Sequence, residues 1–162
     1  MGKKTDAVRP KIPGVPTVLY NDYWNDTLED YNDNFLVIAC KLLNYKPDNC
    51  WNADDENVID NKISSEVLKV SVYYESLCPD SVRFITKQLA PAYPLIGSNL
   101  KIDLIPYGKA SHQQVNGNWE FTCQHGPLEC RGNKLQACGL LTNQTDAKNV
   151  DFVSCVMGQW DP

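Results

Sequence analysis

Between residues 67 and 107 the hydrophobic period changes twice, and no other stretch restricts the fold as much. "VLKVSVYY" (67–74) is rich in β-branched and aromatic residues and reads as a buried strand. Val82, Ile85 and Leu89 then recur at helical spacing, with Phe84 and Gln88 on an adjacent face. Pro91 is expected to end that helix, because the residue before a proline disfavours the helical basin. "NLKIDLIPY" (99–107) sets Leu100, Ile102 and Leu104 against Lys101 and Asp103 and reads as a second strand. Strand, helix, strand in this order requires a parallel pair with a right-handed crossover, hence an α/β fold.

Cys78 stands at the corner between the first strand and the helix, in "YYESLCPDSVRF". Pro79 suits the first helical position, where its missing N–H costs nothing. A sulfur placed there faces unsatisfied backbone donors and the positive end of the helix dipole, surroundings that favour thiolate and nucleophilicity. Asp80 acts in the opposite direction when ionised. Redox corners of this type carry a second cysteine three residues on; here that position holds Ser81. The local pattern leaves two readings open, a thiol redox site or a structural cysteine ahead of a helix.

Seven cysteines (Cys40, Cys50, Cys78, Cys123, Cys130, Cys138, Cys155) fall in 162 residues, four of them between 123 and 155. That density points to an oxidising compartment and a disulfide framework. The odd count leaves at least one thiol unpaired within a monomer. Cys40 and Cys50 are placed to bridge across the intervening "YKPDN" turn. Asn25 and Asn143 begin glycosylation sequons, which agrees with a secretory route. A net charge of −5 argues against a nucleic-acid partner. The apolar run "FLVIACKLL" (35–43) is too short to span a membrane, and no signal peptide is visible.

The chain divides at residue 66. Residues 1–66 read as an N-terminal extension, partly irregular and rich in Asn and Asp, with one short helix or strand near 34–44. Residues 67–162 hold the strand–helix–strand unit and a Cys-rich, loop-rich insertion at 108–140. A further helix follows, capped by Thr145 or Asp146, with Val150, Val153 and Met157 inward.

"CQHGPLECRGNKLQAC" (123–138) resembles the signature of the gamma-interferon-inducible lysosomal thiol reductase family. In that signature Cys-Gln-His-Gly is followed, after fixed gaps, by Glu-Cys, Asn and Cys. Cys123, Gln124, His125, Gly126, Glu129, Cys130, Asn133 and Cys138 occupy every fixed position. "LIPYGKA" and "NWEFTC" look like the family too, and the likeness runs over 67–162. The resemblance implies a thioredoxin-like thiol–disulfide oxidoreductase, lysosomal or extracellular, that reduces protein disulfides at acidic pH. The family's first active-site cysteine maps onto Cys78. Its second maps onto Ser81, a departure that some invertebrate relatives share. The residues themselves leave two further roles for the segment. Cys123, Cys130, Cys138 and Cys155 serve as disulfide staples, or Cys123, His125, Cys130 and Cys138 bind zinc at an unusual spacing.

One sulfur performs half of a dithiol cycle. Cys78 forms the mixed disulfide, Ser81 cannot resolve it but can donate a hydrogen bond to the thiolate, and an external small thiol must finish the turnover; no other cofactor is called for. The resemblance also implies a later hairpin, entered by a proline facing the active sulfur, and a final helix. Neither is visible after residue 160, which leaves the first strand with a bare edge. Residues 17–66 fill that edge, or the chain is truncated and weakly active; truncation is the expectation. The rival reading is a non-catalytic secreted glycoprotein that keeps the disulfide scaffold.

Overall fold

The computed structural model describes residues 4–5, 11–24, 28, 34–44, 47–50, 65–142 and 144–159. Strand β2 (Leu68–Tyr74) pairs in parallel with β3 (Leu100–Pro106), Leu68 opposite Leu100 and Tyr74 opposite Pro106. Between them run α2 (Pro79–Arg83), a π-helical stretch over Phe84–Leu89, and α3 (Ala90–Ile96). The mixed α/β class follows from this crossover.

Pro91 does not end the helix. The π-helical stretch shifts the ladder first, with the Ala90 N–H bonding the Ile85 carbonyl. Pro91 then falls in the first turn of α3, and the helix continues to Ile96 with Pro94 inside it.

The edge of β2 is not bare. Strand β1 (Thr17–Tyr20) pairs with it antiparallel, Thr17 opposite Tyr73 and Tyr20 opposite Val70. The sheet order is β1–β2–β3, so β2 is central. Buried on both faces, β2 shows a nearly continuous apolar run in place of alternation. Leu68, Val70, Val72 and Tyr74 enter the main core; Tyr73 joins Leu19, Ile105 and Tyr107 on the opposite face.

Helix α1 (Phe35–Leu42) packs Phe35, Ile38, Ala39 and Leu42 into that main core, and Cys40 is bonded to Cys50. The described parts of residues 1–66 therefore share a core with β2 and β3. Helix α5 (Asp146–Gly158), capped by the Thr145 hydroxyl accepting from the Lys148 N–H, adds Val150, Val153 and Met157. Among the described residues no helix is long and apolar enough to cross a membrane. Asn25 and Asn143 lie outside the described residues.

The stretch 108–140 is more regular than its glycines suggest. Strands β4 (Ser111–Val115) and β5 (Asn118–Thr122) form a hairpin turned by Asn116 and Gly117, both at positive φ. Helix α4 (Pro127–Leu140) follows, starting at Gly126 with Pro127 in its first turn.

Candidate active site

The site is assembled around the corner that joins β2 to α2. Cys78 is the N-cap residue of α2, in extended conformation, with Pro79 in the first turn. Its side chain is buried, and Sγ donates to the Val15 carbonyl at 3.6 Å. The Val15–Pro16 bond is cis, and the Val15 carbonyl is the group that the sulfur meets. It reaches the corner from the chain's first residues, ahead of β1.

Ser81 is fully buried, and its hydroxyl accepts from the Glu75 N–H at 3.3 Å. At the third helical position its side chain reaches back across the turn, as capping residues do. No hydrogen bond joins Ser81 to Cys78; the serine braces the corner that carries the sulfur.

The other side of the corner is held by α4. Glu129, Asn133 and Gln136 recur at helical spacing on its buried face. Asn133 Oδ1 accepts from the Ser76 N–H at 2.8 Å, and the Ser76 hydroxyl donates to the Glu129 carbonyl at 3.2 Å. The Tyr74 hydroxyl donates to Gln136 Oε1 at 2.7 Å. A Cβ at Gly132 would lie 2.4 Å from Ser76 Oγ, so only glycine lets α4 approach this closely.

Glu75 and Glu129 are both fully buried and converge on His125. Glu129 accepts from the His125 N–H at 3.0 Å and from its Nδ1 at 2.6 Å. Glu75 Oε2 lies 3.5 Å from the same nitrogen, and Glu75 Oε1 accepts from the Lys109 N–H at 2.7 Å. Burial raises the Glu75 pKa; the Lys109 N–H opposes this, the Glu129 charge adds to it, and His125 and the Lys109 charge oppose it. One atom from each of Glu75, His125 and Glu129 lies within 4.8 Å of the others, but Nδ1 is already engaged by Glu129 at 2.6 Å.

The cysteines divide into two groups. Cys123 is bonded to Cys130, and Cys40 to Cys50; Cys78, Cys138 and Cys155 are free thiols. The first of these bonds takes two sulfurs out of the zinc set considered from sequence. Cys138 and Cys155 are exposed and join no other cysteine, so neither acts as a staple here.

A groove of about 470 Å³ opens beside the corner, lined by Leu77, Pro79, Val82, Thr86 and His125 among others. Sequence reasoning singled out Cys78 and Ser81 but assigned nothing to Glu75, Gly108 or Val15. It noted Glu129 and Asn133 only as motif positions, and the fixed gaps between them were the available signal that they face one target.

A family model described as gamma interferon inducible lysosomal thiol reductase matches residues 69–161, more than half of the chain. A gamma-interferon-inducible lysosomal thiol reductase-like protein of Anopheles gambiae is 42% identical over 97 residues, 54% of this chain and 40% of its own length. The thiol reductase of Carassius auratus is 38% identical over 95 residues, 59% of this chain and 37% of its own. That of Mus musculus is 47% identical over 74 residues, 46% and 30%. The chain thus spans well under half the length of these relatives.

Proposed function

The chain belongs to the gamma-interferon-inducible lysosomal thiol reductase family, and from that premise we propose that it is a thiol–disulfide oxidoreductase using Cys78 as its single nucleophile. The observation that carries this reading is a free thiol at the N-cap of α2, with Pro79 behind it and an apolar groove alongside. The fold is read as thioredoxin-like. In it β1 and α1 take the places the family gives to a later hairpin and helix, and the Val15–Pro16 segment supplies the loop that faces the sulfur.

The cycle is short. The Cys78 thiolate attacks a protein disulfide, the S–S bond breaks, and a mixed disulfide with Cys78 remains. Ser81 holds the Glu75 N–H and has no sulfur to offer, so a small external thiol releases the product. The compartment is lysosomal or extracellular, and the substrates are disulfide-bearing proteins.

The first test is alkylation of the unreduced protein at about pH 5, with the label located by peptide mass spectrometry; ordinary thiols react slowly there. Preferential labelling of Cys78 over the exposed Cys138 and Cys155 is expected. Labelling of the two exposed thiols alone would favour the non-catalytic disulfide scaffold. Ser81→Cys is expected to raise reductase turnover, measured with a fluorescent disulfide peptide; a folded variant with no gain would mean that the corner is not organised for exchange.

A further inference from the structure

We propose that His125 is the general acid of the exchange step, delivering a proton to the substrate sulfur that leaves as Cys78 attacks; this rests on reading Cys78 as the nucleophile. His125 lines the groove together with Leu77 and Pro79, the two neighbours of Cys78 in sequence. Its side chain is 39% exposed, whereas the carboxylates behind it are at 0%. The ring therefore has a buried anchor and an open side.

The anchor fixes which nitrogen does the work. A carboxylate accepts hydrogen bonds and donates none, so the proton between His125 Nδ1 and Glu129 Oε2 (2.6 Å) sits on the nitrogen. The nitrogen that gains and loses a proton is then Nε2, which makes no hydrogen bond to the described residues. Glu75 faces the ring from the corner after β2 and Glu129 from α4, while the Lys109 N–H holds Glu75 in place from the connection after β3. Arg83 and Lys87 line the same groove from the helix. The paired carboxylates complement the charge of the protonated ring. Glu75 and Glu129 are positioning residues; His125 meets the substrate.

The step balances without another reactant. The Cys78 thiolate forms a bond to one substrate sulfur, and the substrate S–S bond breaks with its electron pair on the other. That sulfur takes the Nε2 proton and leaves as a thiol. The neutral imidazole then recovers a proton from solvent through its exposed side. Thiolates of ordinary basicity leave slowly, so an acid placed at the departing sulfur accelerates the step.

The test uses single-turnover formation of the mixed disulfide on the full chain, with a dialkyl disulfide and an aryl disulfide as probes. The aryl thiolate leaves unaided, and the alkyl thiolate needs the proton. His125→Asn keeps a donor toward Glu129 but has no Nε2. It is expected to slow the alkyl probe by about 100-fold near pH 5 and to leave the aryl probe nearly unchanged. Equal losses on both probes, or no loss on either, would overturn the proposal.

A measurement on the wild-type protein does not depend on the variant folding. The ratio of alkyl to aryl rates cancels the ionisation of Cys78, which both reactions share. That ratio is expected to be lower in deuterium oxide than in water, because only the alkyl probe needs a proton at the departing sulfur. A ratio unchanged by the solvent isotope overturns the acid role. Failure of wild-type Cys78 to react with either probe overturns the nucleophile itself, which is a different result.

Discussion

The corner at Cys78 is gripped from two sides by different means. On one side α4 applies mainly side chains: Asn133 and Gln136 bond the Ser76 N–H and the Tyr74 hydroxyl, and the Glu129 carboxylate holds His125 against Glu75. On the other side the N-terminal segment applies backbone: β1 pairs along β2, and the Val15 carbonyl meets the sulfur. Side-chain grips demand particular residues at fixed gaps. Backbone grips accept almost any residue that tolerates an extended chain. One region of the sequence is therefore closely specified and the other loosely, although both shape the same site.

The largest expected effect comes where the two sides meet. Gly108 has φ +53°, and a Cβ there would lie 2.4 Å from Glu75 Cγ and 2.8 Å from Val15 Cγ1. Gly108→Ala is expected to cost about 3 kcal/mol, combining left-handed strain with overpacking, as read by urea unfolding. A loss within about 0.5 kcal/mol would show that the two sides do not close on this glycine.

Asn133→Leu, close to isosteric, strands the buried Ser76 N–H and is expected to cost about 2 kcal/mol. Its counterpart on the backbone side is Leu19→Met, a volume-conserving change in β1 expected to cost less than about 1.5 kcal/mol in the same unfolding assay. If Leu19→Met proves the more damaging, the contrast between specified and permissive sides fails.

The smallest effect is on pH dependence. The Glu75 pKa is raised above its ordinary value of 4.5. Across the window above 4.5 the folded state holds more protons than the unfolded state, so this residue's contribution to stability is greatest at low pH and declines as pH rises. Glu75→Gln is expected to flatten the fall in melting temperature between about pH 5 and pH 7. An unchanged slope would place the titrating group elsewhere.

What was legible in the sequence follows the same division. Residues 67–107 read correctly as strand, helix and strand because β2 and β3 are apolar and the crossover is helical. The motif at 123–138 was visible because its residues stand at fixed gaps, and two of them, Glu129 and Asn133, meet the corner from one face of α4. Strand β1 was not read, since four residues behind prolines carry little pattern and their pairing lies in the main chain. The Asn116–Gly117 dipeptide is the hairpin signal in that stretch, since both residues accept positive φ. In α4 two glycines, at 132 and 139, hid a regular helix; they mark close approach to Ser76 and Phe152 rather than loop. Pro91 misled because a π-helical slip upstream cannot be seen in a periodicity.

The pairing of Thr17 with Tyr73 has a kinetic consequence. During synthesis β1 leaves the ribosome well before the strand it must join, and α4 leaves well after. The parallel β2–β3 pair also waits for its whole crossover. Long-range closures of this kind are slow relative to helix formation. The corner at Cys78 is thus a late-folding element, completed only when segments far apart in sequence, β1 ahead of it and α4 beyond β3, arrive at the same place. Until then Cys78 lacks the carbonyl that covers it and stands open to thiol exchange.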